Sequence, residues 1–130
     1  MFKKVTVHTR EDALPLVAAL SVRTDPGVDV VLAFDRRGVL VAGLPMEPNC
    51  SLPMVVALIA GVAAPGERLM LVSNRTGQQC ADRPDDELVW EEMVGVARAH
   101  DIVLLDWWVT WGTKAFSLAE FAPTPAAWAT

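Results

Sequence analysis

The residues that could carry out chemistry are concentrated between Ser73 and Asp86. This polar loop follows an apolar run, 69–72, and leads into an acidic stretch opened by a proline, as helices often are. Ser73 and Cys80 could act as nucleophiles, but no histidine lies nearby in the sequence to serve as their base. The neighbouring carboxylates also disfavour a Cys80 thiolate, so hydrolysis through Cys80 is the weakest hypothesis. The pattern favours a polar loop that caps a helix.

Metal binding is the second chemistry to consider. The chain has two histidines, His8 and His100, and neither lies in a spacing typical of a zinc site. An acidic cluster accompanies the loop, but it lacks the alternating spacing of a calcium-binding loop: Asp82, Asp85, Asp86, Glu87, Glu91 and Glu92. Acids at these positions complement the positive end of a helix dipole or face solvent. The sequence therefore predicts no metal and no cofactor.

Three of the five tryptophans fall within residues 106–111. On a β-strand, Trp107 and Trp111 share one face, whereas Trp108 lies on the opposite face between an acid and a hydroxyl. One face belongs to the core, and Trp108 is either half-covered or part of a contact patch, because tryptophan is enriched at interfaces. Trp107, Trp108 and Trp111 are therefore a candidate interaction surface.

Composition narrows the class of partner. The chain has 130 residues and a net charge of −5, and its basic residues are scattered. This balance disfavours a nucleic-acid or anionic-membrane surface, which needs clustered lysine and arginine, and leaves proteins and small molecules as partners. Cys50 and Cys80 are expected to be free thiols. No apolar run approaches the roughly 20 residues of a membrane span, and the N-terminus lacks the apolar region of a secretory signal, so a cytoplasmic location is predicted.

The hydrophobic patterns predict one domain over residues 1–130, with the order β-α-β-β-α-β-α-β-β and helices on both sides of a mixed sheet. The predicted strands lie at 2–7, 28–34, 39–42, 68–72, 102–111 and 114–118. Three helices are predicted: the first is capped by Thr9 or Asp12, the second (54–63) is capped by Ser51, and the third is opened by Pro84. A cap at Asp12 would place Pro15 harmlessly in the first turn. The helix at 54–63 is almost wholly apolar and is expected to be buried on several sides, the segment 44–49 to be loop, and the tail 122–130 to be loosely held, although Trp128 could dock.

Longer segments carry a resemblance to a known family. The strand at 69–72 leads into Ser73-Asn74-Arg75, and Asp86 follows Arg75 at a characteristic distance. The motifs LLDW at 104–107 and, after Gly112, FSLAE at 116–120 come later, and upstream the hairpin VVLAFDRRG (30–38) precedes a helix at 52–63. Together these residues, from about Thr9 to Glu120, resemble the RadC-like branch of the JAB/MPN (JAMM) metalloproteases. The resemblance implies an α/β fold of three layers, α/β/α, similar to the arrangement of cytidine deaminases.

The departures from that family bear on function. In its active members two histidines and an aspartate bind zinc, a glutamate is the general base and a serine helps to hold the oxyanion. The histidine positions fall here on Ser73 and Arg75, the glutamate position near Gly27 and the serine position on Arg83; only Asp86 is retained. One carboxylate beside a cation cannot hold zinc, so the resemblance implies a metal-free, catalytically inactive domain.

These observations predict a non-catalytic protein-binding or scaffold module, which self-associates or docks on another protein. The alternative is a small anionic ligand in the former metal pocket, bound by Arg75 and Asn74 at a strand end that faces a helix N-terminus. A third interpretation gives Arg75 a purely structural role, as the ion-pair partner of Asp86.

Overall fold

The computed structural model describes residues 5–23, 25, 27–46, 50–75, 85–111 and 114–128. In these residues the chain forms a mixed α/β fold with three α-helices and a five-stranded sheet. The elements in chain order are α1 (Arg10–Arg23), β1 (Asp29–Phe34), β2 (Leu40–Met46), α2 (Leu52–Val62), β3 (Arg68–Arg75), α3 (Asp86–Ala99), β4 (Val103–Trp111), β5 (Lys114–Ser117) and a short 3₁₀ helix (Leu118–Phe121).

The strands lie in the order β2-β1-β3-β4-β5. β3 and β4 are parallel, because the helix α3 connects them as a crossover, and the remaining neighbours are antiparallel. The two central strands are buried along almost their whole length, as expected for a sheet covered on both faces. The register between them shifts after Leu69, so that Leu105 of β4 is a bulge.

Two hydrophobic clusters, one on each face of the sheet, hold the helices. The first contains buried residues of α2 and α3 together with alternate residues of β3 and β4, including Trp107 and Val109. The second contains Ala13 and Val17 of α1 with the other alternate residues, including Trp108. Helices therefore cover both faces, as the sequence predicted, and Trp107 and Trp108 lie on opposite faces as predicted.

The sequence offered Thr9 and Asp12 as candidate N-caps of the first helix, and the structure distinguishes them. Thr9 Oγ1 accepts a bond of 3.2 Å from the Asp12 backbone N–H, and Asp12 accepts in return from the N–H groups of His8 and Thr9. These two N–H groups lower the pKa of the Asp12 carboxyl. Thr9 is thus the cap, and Pro15 lies inside the helix, where it removes one backbone bond. Of the predicted first strand, residues 2–4 lie outside the described part, and Thr6 forms an isolated bridge with Val39.

The hairpin of β1 and β2 differs from the prediction in length. Gly38 has the positive φ (84°) expected at its turn, and a Cβ there would approach the Val7 carbonyl oxygen to 2.7 Å. β2, however, continues to Met46 through Pro45, in a segment predicted to be loop. Proline is tolerated because β2 is the outermost strand, where a missing N–H costs no ladder bond.

α2 and the tail also differ from expectation. Ser51 caps α2 as predicted, with its hydroxyl oxygen 3.4 Å from the Met54 backbone nitrogen. The tail was expected to be loosely held, but residues 122–128 are hydrogen-bonded to α3 and β4, and Trp128 is docked. None of the helices in the described residues is long and apolar enough to span a bilayer.

Candidate functional site

The predicted site lies where β3 ends and α3 begins. Arg75 is the last residue of β3 and Asp86 the first of α3. They line a cleft of about 250 Å³ together with Asp29, Leu52, Asp85, Val89 and Trp107. The loop between them, residues 76–84, lies outside the described part, and with it Cys80 and Arg83.

Arg75 and Asp86 form a buried, two-pronged ion pair. Arg75 Nη1 donates to Asp86 Oδ2 at 2.7 Å, and Nη2 donates to Oδ1 at 2.9 Å. Arg75 is 8% exposed and Asp86 5%. Two parallel, charge-assisted hydrogen bonds of this kind are stronger than neutral ones, and they connect the end of β3 to the start of α3. Asp86 also lies in the first turn of α3, where its charge complements the helix dipole. The ion pair that the sequence left as one of its alternatives is the one that forms.

Trp107 of β4 supports this pair from the neighbouring strand. Its indole Nε1 donates to Ser73 Oγ at 2.8 Å, and the Arg75 guanidinium carbon lies 5.6 Å from its ring centroid. The ring thus contacts both Ser73 and Arg75. The Ser73 hydroxyl is buried, and its oxygen accepts a hydrogen bond that links β3 to β4.

Gly27 and Asn74 join the site less directly. The Gly27 N–H donates to the Asn74 carbonyl oxygen at 2.6 Å, so Gly27 does lie beside the end of β3, with a φ of 85°. The Asn74 side chain, however, accepts a bond of 3.1 Å from Thr110 Oγ1. Because side chains alternate along a strand, Asn74 points to the opposite face from Ser73 and Arg75. Asn74 and Arg75 therefore do not face the same cleft.

Neither zinc nor an anion suits these residues. Zinc needs thiolate, imidazole or carboxylate ligands, but Ser73 is bonded to an indole and Arg75 places a positive charge against Asp86. In the part of the chain that the structure describes, no group of three His, Cys, Asp or Glu residues is placed to hold a metal ion. Among the described residues that line the cleft, Arg75 is the only cation, and Asp29 and Asp85 add carboxylates beside its partner. Their charges disfavour an anionic ligand.

The predicted interaction surface of Trp107, Trp108 and Trp111 does not agree with the burial of these residues. Trp107 and Trp108 are each 1% exposed and are among the largest fully buried side chains. Trp107 packs with α2 and α3, and Trp108 packs beneath α1, with the guanidinium carbon of Arg10 5.3 Å from its ring centroid. Trp111 is partly exposed, with Lys114 over its ring. Trp107 and Trp108 therefore form core, and the predicted interaction surface is wrong for both.

Asp106 is a buried carboxylate that the sequence did not single out. Its Oδ1 accepts from the Trp107 backbone N–H at 2.8 Å and from Ser117 Oγ at 2.6 Å, and its Oδ2 accepts from Trp128 Nε1 at 2.8 Å. Burial raises the pKa of the Asp106 carboxyl, and these three donors partly oppose that rise. The only signal in the sequence was an acid within a run of strand residues.

One side of the helix α2 is more exposed than the sequence predicted. The sequence predicted a helix buried on several sides, yet Met54, Leu58 and Val62 are 63%, 70% and 88% exposed. They are spaced four residues apart and so form one row along the helix. No charged residue occurs anywhere from Ser51 to Gly66. We call this row, with the exposed Gly61 beside it, the outer face of α2.

Comparisons with known proteins do not assign this chain to a family. No family model, curated protein or solved structure matches it.

Proposed function

We propose that this chain is a non-catalytic protein-binding module of the RadC-like JAB type, which associates with a second copy of itself through the outer face of α2. The exposure of Met54, Leu58 and Val62 in a helix without charged residues carries this proposal. The proposed interaction surface thereby moves from the tryptophans of the central strand β4 to the solvent-facing side of the helix α2.

Exposing this row to water is unfavourable. Single exposed apolar residues are ordinary, but a contiguous row of three large side chains is not, since an apolar patch of a few hundred Å² is already large for a monomer. A solvent-facing helix usually carries charged residues on its outer side, and α2 carries none. Covering the row with another apolar surface removes this cost.

A second copy of α2 fits the row in shape. Side chains four residues apart form a ridge, and ridges of this kind from two helices interdigitate at a crossing angle of about −50°. Gly61 and Ala57 flank the ridge and leave room for the facing side chains. A two-fold axis through the contact would bring the same face from each copy together, as in most protein dimers. Three side chains are fewer than a standard interface contains, so the dimer is expected to be weak.

The absence of catalysis is proposed from the strand and helix junction. Arg75 donates hydrogen bonds to both carboxylate oxygens of Asp86, and the Ser73 hydroxyl oxygen accepts one from the Trp107 indole. The RadC-like assignment is supported by the motifs at 69–86, 104–107 and 116–120 and by a mixed sheet with helices on both faces. A crystal structure with the same strand order, superposed on active JAB domains, would test that assignment.

The test of the docking surface is Leu58→Glu, measured by sedimentation velocity over a concentration series. Wild-type protein is expected to shift towards a dimer as its concentration rises from micromolar to millimolar, and Leu58→Glu to remain monomeric because it buries a charge in the contact. Leu88→Glu is the matched control, since Leu88 is 71% exposed but lies on α3. A monomeric wild type across the series, or equal loss in both variants, would rule out the outer face as the contact.

A further inference from the structure

A cleft opens on the α1 side of the sheet, between the last turn of α1 and the strands β1 and β2. The contacts of α1 with the sheet are mainly with β3 and β4, so this helix leaves β1 and β2 less covered on that side. The cleft has a volume of about 370 Å³ and is larger than the one at the junction of β3 with α3. Binding sites for small molecules begin at about 300 Å³, so its size suits a small ligand.

The floor of the cleft is aliphatic. Val30 and Leu32 of β1 are buried, and Leu20 of α1 and Val28 pack beside them in the same cluster. All four side chains are branched, and none of them carries a polar atom. A ligand group that reaches this floor is therefore apolar, because a polar group would lose its hydrogen bonds with water there.

The wall on β2 is formed by Gly43 and Pro45. Gly43 pairs directly with Leu32 and does not lie at the register shift, which comes between Ala33 and Phe34. Its φ is not positive either, so the backbone conformation does not require a glycine. A Cβ on Gly43 would lie 3.3 Å from Leu32 Cδ2, and a longer side chain would occupy the cleft. Glycine inside a strand weakens the strand and often marks a place that a ligand approaches closely.

The rim of the cleft carries one charge of each sign. Arg23 ends α1, Asp25 follows two residues later, and both are exposed. Among the described residues, neither side chain has an ion-pair partner that a ligand would have to displace. A guanidinium binds a carboxylate, and a carboxylate binds an ammonium group. The rim thus complements a zwitterion, and the floor complements an aliphatic group.

We propose that this cleft binds a free amino acid with an aliphatic side chain, such as leucine. The side chain of the ligand lies on Val30 and Leu32 against Gly43, its carboxylate faces Arg23 and its ammonium group faces Asp25. An aliphatic acid or amine would gain from one of the two rim charges and be repelled by the other. The site lies on the opposite side of the sheet from α2, so it does not depend on the self-association proposed for the outer face of that helix.

The test is an NMR titration of the ¹⁵N-labelled full-length protein with L-leucine, followed through the amide signals of Val30, Leu32 and Gly43. These signals should shift and saturate by about 20 mM, since a ligand of so few atoms binds weakly. Isocaproate, which lacks the ammonium group, and isopentylamine, which lacks the carboxylate, should each bind at least about threefold more weakly. Glycine, which lacks the side chain, should cause no saturating shift. Absence of saturation with leucine, or equal binding of either analogue, would overturn the proposal.

Substitutions separate the parts of the site. Gly43→Leu fills the cleft and should abolish the leucine-dependent shifts, whereas Ala115→Leu, exposed on β5, should leave them unchanged. Arg23→Ala, at an exposed position that does not depend on folding of the first variant, should weaken leucine binding at least about threefold without weakening isopentylamine, which has no carboxylate. Arg37→Ala is its matched control, since the Arg37 side chain is 82% exposed on the hairpin turn. Binding that survives Gly43→Leu, or that responds equally to Arg23→Ala and Arg37→Ala, would place the ligand elsewhere and reject the proposal.

Discussion

The junction of β3 with α3 buries charged residues, whereas the outer face of α2 exposes apolar ones. The junction collects charged and polar side chains, and Arg75 and Asp86 bind each other below the surface. The outer face has no charged residue, yet it leaves Met54, Leu58 and Val62 in water. The polar residues of the junction thus bind one another, whereas the apolar helix α2 leaves part of its surface exposed to water. The two regions should respond to substitution in opposite ways.

The largest expected effect is at the junction. Arg75→Ala leaves the Asp86 carboxylate buried without its ion-pair partner and should lower the free energy of unfolding by about 3 to 5 kcal/mol, measured by urea denaturation. Arg75→Leu combined with Asp86→Leu should recover most of that loss, because no buried charge is then left alone.

The matched control for this experiment is an exposed ion pair. Arg37 lies 3.5 Å from Asp35 with its side chain 82% exposed, so Arg37→Ala should change the free energy of unfolding by less than about 1 kcal/mol. Similar losses from Arg37→Ala and Arg75→Ala would show that burial does not set the strength of the junction.

The second prediction concerns the carboxylate that holds the tail. Burial raises the pKa of Asp106 above its value in the unfolded chain, so the folded state binds the proton more tightly than the unfolded state does. Stability from this group is therefore fully present below the unfolded pKa of 3.8 and is lost as the pH rises through the higher folded value. Asp106→Asn removes this dependence.

The measurement is urea denaturation of wild type and Asp106→Asn at a series of pH values from 3.5 to 7. The free energy of unfolding of wild type should decline relative to the variant as the pH rises. The charge of Arg10, which is ion-paired with Glu120, also acts on Asp106, so the series is repeated with Glu120→Gln added to both proteins. Parallel curves for wild type and Asp106→Asn would contradict the raised pKa.

The features that the sequence predicted correctly are those set by neighbours along the chain. Gly38 in its turn and the Ser51 cap both follow from local spacing, and both are present. The same local rules failed for β2, where Pro45 is acceptable only because the strand is outermost, a fact of sheet order.

The features that the sequence missed depend on contacts far apart in the chain. Thr124 meets Glu91 and Trp128 meets Asp106 across 33 and 22 residues, and no local pattern announces such pairs. Burial of an apolar helix is likewise a matter of what packs on it: the periodicity of α2 could not tell a core-facing row from an exposed one. For the site, sequence reasoning found Arg75 and Asp86 but could not place Asn74 on the other face, since that required the end of β3 to extend beyond residue 72.

The third prediction contrasts the outer face of α2 with the junction. Leu58→Glu, which is expected to abolish self-association, should change the free energy of unfolding of the monomer by no more than about 0.5 kcal/mol, because its side chain is already 70% exposed. The measurement is urea denaturation at a protein concentration where wild type is monomeric. A loss of several kcal/mol would place Leu58 in the core and remove the basis of the docking surface.

The smallest expected effect is that of anions on the junction. Phosphate stabilises folded proteins in general by exclusion from their surfaces, so wild type should gain some thermal stability as phosphate is added. A specific site would add a further gain that saturates with concentration and disappears in Arg75→Ala. We expect no such gain, because Asp86 neutralises Arg75 and the remaining described charges of the cleft, Asp29 and Asp85, repel an anion. The comparison of melting temperatures for wild type and Arg75→Ala against phosphate, with chloride at matched ionic strength, decides the point. A saturating gain seen in wild type alone would restore the junction as a ligand site and reverse the contrast between the two regions.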